Sequence, residues 1–138
     1  MTRKQGDITE TQFATQVEDL LMRFGWRWMH MKPAKRTAIK TGRDFWVSHM
    51  NPEGKGYPDY TAVRLTRLLF IELKDRLSKP TPEQEEWQGD LKDCVRQITL
   101  VPIEQGRMSL DPHSKLIPSF EVYLWRPADI DKIVELLR

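Results

Sequence analysis

Apolar residues recur every three to four positions near the start of the chain, with Phe13, Val17, Leu20, Leu21 and Phe24 on one helical face. This spacing predicts a helix over residues 8–24, capped by Asp7 or Thr9 and stopped by Gly25. Residues 26–31 then alternate well enough for a short strand. From 32 to 58 the sequence is polar and basic, broken by Pro33, Gly42, Pro52, Gly54 and Gly56. It reads as one long connection, a length that inside a compact domain usually serves function. Two strands are expected at 60–64 and 68–74, joined by a tight turn near Leu65-Thr66-Arg67. Thr81, Pro82 and Gln84 form a capping-box signal for a helix running to about residue 94, with Trp87 and Leu91 inward. Residues 97–102 read as a further strand, 103–118 as an inserted loop and 120–125 as a strand. Pro127 opens a last helix carrying Ile130, Ile133, Val134 and Leu137. The order predicts a single α/β domain over 1–138, with a mixed central sheet flanked by helices.

Composition adds constraints rather than a function. A chain of 138 residues with 39% hydrophobic and 30% charged positions suits one ordinary globular core. The apolar runs, such as Leu68-Leu69-Phe70-Ile71, are too short to span a membrane, so no membrane partner is expected. The segment Met1-Thr2-Arg3-Lys4-Gln5-Gly6-Asp7 has no apolar stretch of the kind a secretory signal needs. A single cysteine, Cys94, excludes a disulfide framework and a multi-cysteine zinc site, which favours a reducing cytoplasm. Net charge is only +2, but from Arg27 to Arg43 there are six basic residues and no acidic one. Lys32, Lys35, Arg36, Lys40 and Arg43 are therefore candidates for following a phosphate backbone, although a solvated loop would also explain them.

The chemistry concentrates in Gly56-Tyr57-Pro58-Asp59 and Phe70-Ile71-Glu72-Leu73-Lys74. On a strand, residues two apart share a face, so Glu72 and Lys74 point together while Ile71 and Leu73 point oppositely. The hairpin turn folds Asp59 back toward them. Two carboxylates with nearby carbonyl oxygens suit a hard cation such as Mg²⁺ or Mn²⁺. Such an ion activates water and offsets charge on a phosphodiester, and an adjacent ammonium stabilises the transition state. The competing reading is a structural ion pair at a strand end, since Glu-x-Lys triplets are common by chance. A Pro-Asp about a dozen residues upstream, with an apolar strand between, favours the site.

These same segments, together with Thr81-Pro82-Glu83-Gln84-Glu85-Glu86-Trp87, resemble the VRR-NUC branch of the PD-(D/E)xK nucleases. Glu10-Thr11-Gln12-Phe13 with Val17, Gly25-Trp26 and His30 resembles that family's opening helix and strand, and Val122-Tyr123-Leu124-Trp125-Arg126-Pro127 with Asp129 its closing strand and helix. The resemblance implies a restriction-endonuclease-like core and Mg²⁺-dependent hydrolysis of DNA. It further implies a homodimer acting on branched DNA such as Holliday junctions, in a bacterial cell or phage-infected host. By position it makes Asp59 and Glu72 metal ligands, assisted by the Leu73 carbonyl, and Lys74 the catalytic lysine. Gln84 is implied to support the site or the attacking water, and Glu10 to complete the metal shell. A restriction-type enzyme reading a specific sequence, or a DNA-binding module without catalysis, remains an alternative.

Several residues have two readings. The capping box by itself accounts for Gln84, and Glu18 and Asp19 compete with Glu10 for the first-helix role, where a first-turn glutamate is also favoured by the helix dipole. His30 is read as a satisfied polar residue ahead of a phosphate contact, and His49 and His113 receive no role. Trp26, Trp28, Trp87 and Trp125 are expected to pack inward, whereas Trp46 is the exposed aromatic available to stack on a base. Cys94 is expected to be buried and inert.

Overall fold

The computed structural model of the chain describes residues 7–31, 34–47, 51–100 and 119–138. Its first helix, α1 (Glu10–Arg23), buries Phe13, Val17 and Leu21 completely, with Leu20 and Phe24 packed beside them. Thr9 is the cap: its hydroxyl accepts the Gln12 N–H at 3.1 Å while the Gln12 side chain accepts the Thr9 N–H at 2.8 Å. Gly25, at φ +73°, turns the chain out of the helix in a left-handed conformation that few other residues accept. Strand β1 (Arg27–His30) follows, and then β2 (Ala34–Thr37) and β3 (Asp44–Val47), which pair with each other. After a 3-10 turn at Pro52–Gly54 come β4 (Tyr60–Arg64), β5 (Arg67–Leu73), α2 (Pro82–Leu100) and β6 (Ser119–Trp125). A second 3-10 turn, Pro127–Asp129, leads into α3 (Ile130–Leu137).

The main sheet has the order β1-β4-β5-β6. Its first three strands are antiparallel and β6 runs parallel to β5, the arrangement that requires a long crossover such as α2. The protein is thus mixed α/β, with a four-stranded mixed sheet and three helices among the described residues. One face of the sheet presents Tyr60, Ala62, Leu69, Ile71, Leu73 and Trp125 to Phe13, Val17 and Leu21 of α1 and Ile133 and Leu137 of α3. Each large apolar side chain so buried contributes about 1.5–3 kcal/mol. The end of α3 is gathered onto the sheet by polar contacts. Trp26 Nε1 and Arg64 Nη1 both donate to the Leu137 carbonyl, at 2.9 and 2.8 Å, and Arg67 Nη1 donates to the Leu136 carbonyl at 2.7 Å. Cationic donors suit the partial negative charge at a helix C-terminus.

Some expectations need correction. The stretch 32–58 is not one loop, because it contains the β2–β3 ribbon and a 3-10 turn. The ribbon strands pair only with each other, as a two-stranded sheet apart from the main one, and each is four residues long, too short for a clear alternation in sequence. Residues Gln97 to Leu100 continue α2 instead of forming a strand, since four residues of Gln-Ile-Thr-Leu fit either period. Cys94 is exposed on that helix and not buried. Trp87 is half-buried outside the core, with Nε1 donating to the Glu53 carbonyl at 3.1 Å and its ring edge-on to Tyr57. Trp26 and Trp125 are core residues as expected, and Trp28 packs against the core, edge-on to Tyr60. The insertion 103–118, Lys32, His49 and His113 lie outside the described residues. No helix among the described residues is long and apolar enough to cross a membrane.

Candidate active site

Asp59 sits where the chain enters β4, and its position is fixed from three sides. Its carboxylate accepts the Leu73 N–H at 2.8 Å, and its carbonyl accepts the Met31 N–H at 2.9 Å. The preceding Pro58 is fully buried. Upstream, Gly56 lies so close to the first turn of α2 that a Cβ there would stand 2.4 Å from the Glu83 carbonyl carbon. The segment carrying Asp59 is thereby pressed onto the helix that carries Gln84.

Glu72 and Lys74 occupy the end of β5, and the Lys74 N–H donates to the Trp125 carbonyl at 3.0 Å. Both side chains are buried, at 1% and 8% exposure, which is unusual enough for charged residues to call for a reason. Lys74 Nζ stands 3.4 Å from Glu72 Oε1. Gln84 Nε2 donates to the same oxygen at 2.6 Å. Gln84 also caps α2: its Oε1 accepts the Thr81 N–H at 2.9 Å, and its own N–H donates to the Thr81 hydroxyl at 3.2 Å. One side chain thus makes both contacts, with its oxygen accepting from the start of the helix and its amide nitrogen donating to Glu72. The second carboxylate oxygen, Glu72 Oε2, is buried without any hydrogen-bond partner.

The electrostatics follow from this burial. Desolvation, reinforced by the neighbouring Asp59 charge, pushes the Glu72 carboxyl up to about 7 against the pull of Lys74. Desolvation also raises Asp59, opposed by its Leu73 hydrogen bond and by His30 and Lys74. Glu10, the first residue of α1, is raised as well, mainly by burial, and it faces Lys74, Asp59 and Asp75. Glu10, Asp59, Glu72 and Lys74 thus share one electrostatic environment, although they come from a helix and from two ends of a hairpin.

Glu18, on the same helix as Glu10, contacts Tyr60 and His30. Its Oε1 accepts the Tyr60 hydroxyl at 2.6 Å and lies 3.0 Å from His30 Nδ1. The His30 and Tyr60 rings are 4.0 Å apart, as expected for residues opposed across β1 and β4. His30 is therefore tied to Glu18 on one side and acts on Asp59 on the other. The sequence offered only a weak signal for this network, because Glu18 and Tyr60 lie 42 positions apart.

Asp59 and Glu72, whose buried Oε2 has no hydrogen-bond partner, offer the oxygen donors that suit a small hard cation. They do not make a closed cage: among the described residues no group of three His, Cys, Asp or Glu side chains is placed to hold a metal. The contact from Leu73 is through its N–H to Asp59. Of the basic candidates, Lys35 and Arg36 lie on β2, and Lys40 and Arg43 are exposed at the ribbon's turn. They belong to a different element from the carboxylates. Trp46 lies on β3, opposite Lys35. No protein-family model, curated protein or solved structure matches the chain.

Proposed function

We propose that the protein is a metal-dependent endonuclease that hydrolyses DNA phosphodiester bonds, built on a restriction-endonuclease-like core of the VRR-NUC kind. The observation that carries this reading is Glu72: a buried carboxylate beside Asp59 and Lys74, with one oxygen left without a partner. A purely structural ion pair would not leave that oxygen unsatisfied, since a buried acceptor without a donor costs about 1–3 kcal/mol. Asp59 and Glu72 would hold Mg²⁺ or Mn²⁺, with Glu10 and the Leu73 carbonyl available to complete its shell. The ion, when bound, supplies an acidified water and neutralises charge on the phosphate.

The protein's own groups have separable tasks. Hydrolysis forms one bond from water to phosphorus and breaks one bridging P–O bond, with a proton leaving the water and another reaching the departing oxygen. Lys74, held at the mouth of the hairpin, donates to the attacking water or to a non-bridging oxygen as negative charge builds there. Gln84 holds Glu72 in place by its amide while anchoring the helix. His30, braced by Glu18, favours the ionised form of Asp59. Two strands cut at a branched substrate call for two sites, so a second copy of the chain and a junction-like DNA are the partners this reading favours.

The test is cleavage of labelled duplex, flap and four-way-junction DNA with Mg²⁺, comparing wild type with Asp59→Ala and Lys74→Ala. The expected outcome is metal-dependent cutting, lowered at least about a hundredfold in both variants. A wild type that binds these DNAs yet never cuts them with Mg²⁺ or Mn²⁺ would replace the enzyme by a binding module.

A further inference from the structure

The β2–β3 ribbon has features that phosphodiester hydrolysis does not use. Its two four-residue strands pair in register from Ala34↔Val47 to Thr37↔Asp44 and form a sheet of their own, apart from the four-stranded one. The connecting turn is fixed by the chain itself. The Ala38 N–H donates to the Arg43 carbonyl, and the Gly42 N–H donates to the Ala38 carbonyl, both at 2.8 Å. Gly42 takes the left-handed conformation that such a reversal needs, at φ +65°. Below the turn, the Thr37 hydroxyl donates to Asp44 at 2.7 Å. On this held apex stands Ile39, with 103% exposure, the most exposed large apolar side chain among the described residues. Lys40, next to it in the chain, and Arg43, which closes the turn, are also exposed.

An isolated surface hydrophobe is ordinary. A completely exposed isoleucine on a hydrogen-bonded apex that also carries two exposed cations, at the end of a separate two-stranded ribbon, has a more specific use. We propose that this ribbon is an arm for duplex DNA, in which Ile39 wedges between adjacent base pairs while Lys40 and Arg43 hold the phosphates on either side. The occupant is chosen by charge complementarity: the stretch from Arg27 to Arg43 carries six basic residues and no acidic one. A two-stranded ribbon has the dimensions to lie in a DNA groove, and apolar wedges unstack base steps and kink the duplex. From Ala34 to Ile39 the arm reaches roughly 17 Å, enough to cross a groove. The chain leaves the main sheet at Met31 and returns at Asp59, which are joined by a hydrogen bond, so the arm is inserted at the end of β1 and β4 where Asp59 sits. The inference rests on DNA being the substrate, and adds the part that deforms it.

The wedge is testable with short duplexes carrying a fluorescent adenine analogue at successive positions, bound by the full-length protein without divalent metal. Wild type is expected to raise the fluorescence several-fold at one or a few adjacent steps. Ile39→Ala is expected to bind within about threefold of wild type and to abolish the rise, since its phosphate contacts remain. Lys40→Ala with Arg43→Ala is expected to weaken binding about tenfold and to flatten its salt dependence by about two phosphates' worth. An Ile39→Ala protein that gives the wild-type rise, or a wild type that binds without any rise, overturns the wedge. The nuclease reading fails separately. Unstacking without cleavage in Mg²⁺ keeps the arm and removes the enzyme, whereas cleavage with unstacking insensitive to Ile39 does the reverse.

Discussion

Glu72 carries the conflict between folding and chemistry in a single side chain. Its carboxyl is pushed up from 4.5 to about 7 by burial and by Asp59. The fold therefore prefers the protonated form, and the sign of the pH dependence follows. The stability Glu72 contributes is intact below about pH 4.5 and is lost as pH rises through about 7, a loss on the order of 3 kcal/mol in the metal-free protein. Thermal melting in chelator is expected to show a decline across that window, and Mg²⁺ to restore stability near pH 8 with little effect near pH 5. A flat profile would mean that Glu72 is not held as the structure shows. Glu72→Gln offers a complementary check, since it removes the charge and keeps the volume. It is expected to melt higher than wild type near pH 8 without metal, while cleavage falls at least about a hundredfold. At this scale Asp59, Glu72 and Lys74 are legible in the sequence because the two-residue strand period and a hairpin turn bring them together. Glu72's missing partner and the Glu18–His30–Tyr60 network are not legible, because they depend on which groups surround a side chain after distant segments pack.

Between elements, the decisive joint is the one that sets the Asp59 segment against α2. Gly56 has φ +84°, and a Cβ on it would lie 2.6 Å from the Gln84 nitrogen as well as against the Glu83 carbonyl group. Those are backbone atoms at the start of a helix, so they cannot swing aside as a flexible side chain would. Gly56→Ala is expected to cost at least about 2 kcal/mol, combining left-handed strain with overlap. A shifted urea midpoint with an unchanged slope would show it. Because the clash falls on the residue next to Gln84, the surviving folded protein is expected to cut DNA more slowly than its stability loss explains. Gln84→Ala removes both roles of that side chain at once, the acceptor for the Thr81 N–H and the amide that holds Glu72, while the Thr81 hydroxyl still caps the Gln84 N–H. The helices were readable from sequence because their caps and buried faces are local, as with Thr9 and Phe13-Val17-Leu21 on α1. The ribbon was not, because strands of four residues are too short to show a clear alternation.

The molecule as a whole divides into a packed body and a basic arm. Removing the six basic residues between Arg27 and Arg43 would take the chain from +2 to −4, so its small net charge hides a strong polarity. The body's core lies between the sheet and the two helices α1 and α3, and among the residues whose burial is described none of the core comes from the ribbon. Replacing residues 34–47 with a short Gly-Ser connection is therefore expected to leave the melting transition within about 0.5 kcal/mol of wild type. The same replacement removes Lys35, Arg36, Lys40 and Arg43 and one acid, Asp44. DNA affinity should fall, and the slope of log K against log salt should lessen by about three. Hydrolysis of a small phosphodiester that touches only the carboxylate site separates the contributions further. With such a substrate the shortened protein is expected to keep the wild-type kcat, while on DNA its KM rises. An equal loss on both substrates would place the ribbon inside the chemistry and would remove the division between arm and body.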